Sequence, residues 1–123
     1  MAKEIIKEIE GIPDYYISNK GIAYSTKISP RYNPNGEMRV LRPRNHPSGY
    51  QYIGMFIGKG KTKQRLWRRV HRVVAEAFLG KIPKGKVINH KNFDKHCNSV
   101  DNLEIVTSSE NRIHYLKSIN QNA

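Results

Sequence analysis

The segment Val87–Tyr115, VINHKNFDKHCNSVDNLEIVTSSENRIHY, constrains the fold more than any other part of the chain. A short apolar run, Val87 and Ile88, ends on a polar pair, Asn89 and His90. A loop crowded with Asn, Lys, Asp and His follows, then a second short run from Leu103 to Val106. Runs this brief, bounded by turn-forming residues, read as strands. Thr107 and Glu110 form a capping box, in which each side chain takes a backbone N–H of the other. The order is strand, loop, strand, helix, with Asn89 and His90 on the first strand and Asn111 on the first helical turn.

Such a unit can do chemistry. A strand and a helix packed together can hold an imidazole and one or two oxygen ligands around one small cavity. Amide and carboxylate oxygens suit a hard cation such as Mg²⁺, which keeps most of its waters. A neutral imidazole beside it can take a proton from water near pH 7.

With Asn89-His90, Asn102 and Asn111 in this order and spacing, the chain resembles the HNH (ββα-metal) nucleases. The likeness is to the small phage and intron-encoded homing endonucleases. VHRVVAEAF (Val70–Phe78) is similar to the helix that precedes the motif in that family. EIEGIPDYYISNKGIAYS (Glu8–Ser25) is similar to a short N-terminal module that often accompanies it, so the resemblance covers most of the chain. It implies that His90 is the general base, that Asn102 ties the loop to the strands and sets the position of His90, and that Asn89 and Asn111 are ligands of Mg²⁺ or Mn²⁺. His114, one turn beyond Asn111, is a second candidate ligand or phosphate contact. The implied reaction is single-metal phosphodiester hydrolysis leaving 5′-phosphate and 3′-hydroxyl ends. One site cuts one strand, so a monomer nicks and a dimer can break both strands.

Two positions depart from the family pattern. Asn89 stands where many relatives carry Asp, and a neutral amide implies weaker Mg²⁺ binding. Phe93 stands where relatives often have Gly, so the turn there is expected to differ or to widen.

Charge points to the partner. The 123 residues carry a net charge of +12, more than solubility needs, which favours nucleic acid over an anionic membrane surface. No apolar run approaches the ~20 residues of a membrane span. No secretory signal is visible in MAKEIIKEIE, so a cytoplasmic location in a bacterial or phage-infected cell is expected. Cys97 is the single cysteine, so no structural zinc and no intrachain disulfide are expected.

The most basic stretch holds Lys59, Lys61, Lys63, Arg65, Arg68, Arg69 and Arg72, interleaved with Trp67 and near Tyr52. These, with Lys91, Lys95 and Arg112, are the candidate phosphate contacts. Gly58-Lys59-Gly60-Lys61 lacks phosphate-loop spacing and is a basic turn between a strand at Tyr50–Ile57 and its partner at Thr62–Trp67.

Earlier in the chain, strands are expected at Ile5–Ile9, Tyr15–Ser18 and Ile22–Ser25, and RVLRPR (Arg39–Arg44) reads as one further short strand. Val70, Val73, Val74, Ala77 and Phe78 at helical spacing predict a helix that stops before Gly80. His71 lies off that stripe and is expected at the surface or in a hydrogen bond rather than as a ligand.

The expected fold is α+β, a small N-terminal antiparallel β-sheet followed by a ββα-metal core. The expected division is a DNA-contacting module at 1–69, a nuclease core at 70–118 and a frayed tail at 119–123. The function this implies is a metal-dependent endonuclease on double-stranded DNA, acting as a monomer or weak homodimer. The rival reading from the binding class is a DNA-binding protein whose nuclease centre has decayed, which Asn89 keeps open. An RNA-binding protein is a third, weakened by the lack of an RNP-like aromatic pattern. The short chain suggests laxer target recognition than in longer relatives.

Overall fold

Tyr15 and Ile17 stand two residues apart and are both buried, as one face of an extended strand requires. In the computed structural model, which describes residues 3–121, this strand is β2 (Tyr15–Ser18). β1 (Ile6–Glu8), β3 (Ala23–Ser25) and β4 (Arg39–Leu41) complete an antiparallel sheet in the order β1-β2-β3-β4. The RVLRPR run divides rather than forming one strand. Pro43 has no N–H for a ladder, so β4 stops at Leu41, and β5 (Arg44–Asn45) opens a second sheet.

That second sheet adds β6 (Gln51–Ile57) and β7 (Gln64–Arg69), in the order β5-β6-β7. The N-terminal half thus holds two small sheets where the sequence suggested one. β7 starts at Gln64, later than expected, because Gly60–Thr62 form a 3₁₀ turn. The Thr62 hydroxyl holds that turn by donating to the Lys59 carbonyl at 2.7 Å.

α1 (Val70–Phe78) has the predicted bounds, and Gly80, at φ +98°, closes it by donating its N–H to the Ala75 carbonyl. β8 (Lys86–His90) and β9 (Leu103–Thr107) form an antiparallel pair in which Asn89 faces Glu104 and His90 faces Leu103. α2 (Ser108–Gln121) follows directly. Its capping box is formed: Thr107 N donates to Glu110 Oε1 at 2.9 Å, and Glu110 N to Thr107 Oγ1 at 3.1 Å. The Thr107 backbone N–H, and after it the Thr107 side chain, hold the Glu110 carboxyl below its usual range. The helix runs on through 119–121, where fraying was expected; 122 and 123 lie outside the described residues.

The architecture is α+β around a single apolar core. Ile9, Ile12, Tyr15, Ile17 and Ala23 from the first sheet meet Ile53 and Met55 from the second, with Val70, Val73 and Val74 of α1 and Leu103 of β9. The Tyr15 hydroxyl also accepts the Phe56 N–H at 2.8 Å, tying the first sheet to the second.

The loop between β8 and β9 docks on both N-terminal sheets. Val100 N donates to the Asn19 carbonyl at 2.8 Å, and Lys95 Nζ donates to the Ser48 carbonyl at 2.8 Å. Gly21, at φ +84°, brings the β2–β3 turn so close that a Cβ there would lie 2.7 Å from the Asn98 backbone. Gly21→Ala is therefore expected to cost about 3 kcal/mol in urea unfolding, from backbone strain plus the clash. Gly11→Ala, with φ +78° but open space, meets the strain alone and is expected to cost about 1 kcal/mol.

Candidate functional site

His90 is the last residue of β8 and only 5% exposed. Its Nε2 lies 2.9 Å from Asn98 Oδ1, an oxygen that can only accept, so Nε2 carries the hydrogen and donates. Burial pushes the His90 pKa below its ordinary value, and this outweighs the Asn98 bond and the nearby Asp94 carboxylate, which both raise it. The ring is therefore neutral at pH 7 and can accept a proton.

His71 is the residue the sequence misjudged. It is buried, 6% exposed, and its ring stacks on Tyr50 at 4.9 Å and lies 5.0 Å from the His90 ring. α1 packs against β2, β6 and β7 and also against β8 and β9. A helix covered on two sides buries more than one stripe, and His71, Val74 and Ala75 form the second. Burial, then the His90, Arg69 and Arg72 charges, lowers the His71 pKa to about 3. The signal available was its spacing to Val74, Ala75 and Phe78, which is itself helical.

Asn89 is also buried. Its Nδ2 donates to Glu104 Oε1 at 2.8 Å, which orients the amide and leaves Oδ1 without a hydrogen bond among the described residues. Glu104 places a carboxylate beside the neutral amide, a partner that the β8–β9 register supplies and the linear sequence hides. Asn111 is half-buried on the first turn of α2, a helix that packs on both β8 and β9. Side chains alternate along a strand, so Asn89 shares the Glu104 face and His90 the Leu103 face.

Asn102 ties both ends of the loop. Its Nδ2 donates to the Cys97 carbonyl at 2.8 Å and to Asn92 Oδ1 at 2.9 Å, while its Oδ1 accepts from Asn92 N at 3.0 Å. Its carbonyl takes the Lys91 N–H at 2.8 Å. His114 uses Nε2 on the Lys91 carbonyl at 3.1 Å, and its ring stacks on Phe93 at 4.2 Å. The turn is closed by the Phe93 N–H donating to the His90 carbonyl at 3.1 Å. Phe93 takes the left-handed φ of +67°, at a cost of about 1–2 kcal/mol that stacking on His114 helps offset.

Oxygen donors suit a hard cation, and Asn89 Oδ1, the Asn111 amide and the neighbouring Glu104 carboxylate are of that kind. Among the described residues, no three His, Cys, Asp or Glu side chains are grouped to hold a metal.

The outer face of β5-β6-β7 is a ladder of cations and rings. Arg65 lies over Trp67 at 4.6 Å and over Phe56 at 5.2 Å, and Lys63 lies over Phe56 at 4.6 Å. Arg69 reaches Tyr52, with Nε donating to the hydroxyl at 2.9 Å, and Arg44, which the sequence reading left out, lies over Trp67 at 5.4 Å. Gly54 makes room, since a Cβ there would meet Arg65 at 2.8 Å and Trp67 at 3.0 Å. Lys59 and Lys61 flank the hairpin end, and Lys95 lies over the Tyr50 ring at 4.5 Å. Arg68 and Arg72 are elsewhere. They line a cleft of about 290 Å³ with Lys7, Glu8 and Glu76, on the other face of α1 from His71, and Arg72 pairs with Glu76 at 3.0 Å. Lys91 and Arg112 are exposed beside the loop and on α2. No described helix is long and apolar enough to cross a membrane.

Residues 68–113 match the family model described as HNH endonuclease. YosQ, an SPbeta prophage-derived protein of Bacillus subtilis whose name places it among HNH homing endonucleases, is 38% identical over 92% of this chain and 58% of its own length. DNA endonuclease I-HmuI of Bacillus phage SP01 is 36% identical over 85% of this chain and 53% of its own. A solved structure titled for DNA binding and cleavage by I-HmuI superposes with a TM-score of 0.70 at 30% identity, covering 93% of this chain and 59% of that one. The chain therefore spans between half and three-fifths of the length of these relatives.

The low His71 pKa links stability to pH. Unfolded His71 takes a proton below its ordinary 6.5, whereas the folded ring stays neutral down to about 3. The stabilisation is full above 6.5 and is lost as pH falls towards 3. Between pH 7 and pH 5 the unfolding free energy is expected to fall by about 2 kcal/mol more than in His71→Phe, which keeps a ring but cannot titrate. Urea unfolding at the two pH values reads the difference.

Proposed function

We propose, on the footing that residues 68–113 match the HNH endonuclease family model, that the chain is a divalent-metal-dependent DNA endonuclease nicking one strand per site. The products are 5′-phosphate and 3′-hydroxyl ends. The observation that carries this reading is a neutral, buried His90 next in sequence to an Asn89 whose amide is oriented with Oδ1 free.

Asn89 Oδ1 and the Asn111 amide would hold the cation, with Glu104 adding negative charge beside Asn89 and His114 a second-rank contact. A bound Mg²⁺ or Mn²⁺ would supply charge neutralisation at the transition-state phosphate and at the leaving 3′ oxygen. His90 takes the proton of the attacking water. Because Asn89 and His90 point to opposite faces of the β8–β9 pair, a phosphate served by both lies across the strand end where β8 stops. Asn102 keeps that end in place through the loop. The cation–ring ladder of the second sheet is the surface for double-stranded DNA: guanidiniums held over rings meet phosphates already oriented. Lys91, Lys95 and Arg112 extend the positive surface to the site itself.

A supercoiled plasmid tests the reading. With Mg²⁺ or Mn²⁺ the wild type is expected to convert it to open circles, and EDTA or His90→Ala is expected to abolish the conversion. A gel shift that persists in EDTA without any cutting would instead identify a DNA-binding protein with a decayed centre, the reading that neutral Asn89 favours. Arg65→Ala is expected to weaken duplex binding about tenfold at low salt and to reduce the slope of log affinity against log salt by about one.

A further inference from the structure

His90 is not held by its own hairpin alone. Its Nε2–H donates to Asn98 Oδ1 at 2.9 Å, and Asn98 Nδ2 donates in turn to Gln51 Oε1 at 3.2 Å. Gln51 Nε2 then donates to Asn45 Oδ1 at 3.1 Å. The three bonds share one polarity, running from the buried imidazole to the exposed edge strand β5 of the second sheet. Each amide has one oxygen and one NH₂ group, so fixing one end fixes every member. Asn98 is 5% exposed and cannot exchange its partners for water without cost. If Asn98 turned its amide over, Nδ2 would face the His90 N–H and Oδ1 the Gln51 oxygen, two mismatches at once.

We propose that Asn98, oriented by Gln51, is a positioning residue that fixes the ring plane and tautomer of His90, leaving Nδ1 as the atom that accepts the proton. The second sheet thereby does more than carry the cation–ring surface: one of its strands completes the catalytic centre. Two further contacts work in the same direction. His71 stacked on Tyr50 walls one side of the His90 ring, and Lys95, held on the Ser48 carbonyl, pins the loop that carries Asn98. Tyr50 and Gln51 are consecutive, so the wall and the hydrogen-bond chain arise from one short piece of backbone.

The catalytic part of this inference rests on the nuclease reading, whereas the hydrogen bonds do not, and the test separates the two. In ¹⁵N-labelled protein, an imidazole N–H that is buried and bonded gives a visible one-bond ¹H–¹⁵N signal, while a free one is lost to exchange with water. The wild type is expected to show this signal from His90 Nε2. Asn98→Ala is expected to lose it, and Asn98→Asp, which keeps an acceptor oxygen, to retain it. At the half-buried Gln51, which the fold tolerates more readily, Gln51→Met is expected to broaden the signal and Gln51→Glu to preserve it. Steady-state nicking should follow the same order, with kcat falling about tenfold in Asn98→Ala and Gln51→Met, KM changing little, and both conservative variants recovering. A wild-type signal from Nδ1–H, or one from Nε2–H that survives Asn98→Ala, would overturn the proposal. So would a Gln51→Met loss that appears only in KM. If the signals follow the expected order while the wild type cuts no DNA, the hydrogen-bond chain stands and the nuclease reading fails.

Discussion

The structure depends on the docking of the β8–β9 loop against two turns of the N-terminal sheets. Hairpins of two short strands are marginal on their own, and β8–β9 gains its stability from what surrounds it. α1 covers one face through Leu103, and α2 packs on the pair as well. The loop is held at Asn19 through Val100, at Ser48 through Lys95 and at Gln51 through Asn98. Asn102 gathers its two ends from within. With those ties in place a loop of polar residues holds its shape, and His90 sits where the shape puts it.

The electrostatics divide along the same line. The surface is strongly cationic, yet the two imidazoles at the centre are kept neutral by burial. On the proposed nuclease reading, this division suits attack on a phosphodiester, because the surface attracts the substrate while the neutral imidazole remains able to take a proton. Asn89 lacks the charge that Asp would bring, and Glu104 supplies a carboxylate across the strand pair. The carboxylate beside this amide therefore comes from β9 and not from β8.

Local signals in the sequence carried much of this. The α1 bounds, the Thr107–Glu110 capping box and the β8, loop, β9, α2 order all follow from periodicity and capping chemistry acting over a few residues. What was hidden is what only tertiary contact decides. Pro43 splitting one run between two sheets depended on which partners each half would find. His71 looked peripheral because its helix was read with one buried face, whereas α1 lies between two layers. Phe93 kept the left-handed turn that a glycine would take, since His114 was available to stack on it. Asn98, Gln51 and Glu104 were invisible as site residues, because each acquires its role from a partner distant in sequence or across a strand pair.

Native-state hydrogen exchange tests most directly whether the N-terminal sheets and the loop form one unit. The Val100 amide, bonded to Asn19 in the β2–β3 turn, is the reporter, and the amides of β6 provide the global reference. The predicted result is that Val100 exchanges with the same opening free energy as the β6 core amides, so that the loop is released only when the sheets unfold. Exchange at Val100 with an opening free energy several kcal/mol smaller, while β6 stays protected, would contradict it and would mean that the loop holds His90 without the N-terminal sheets.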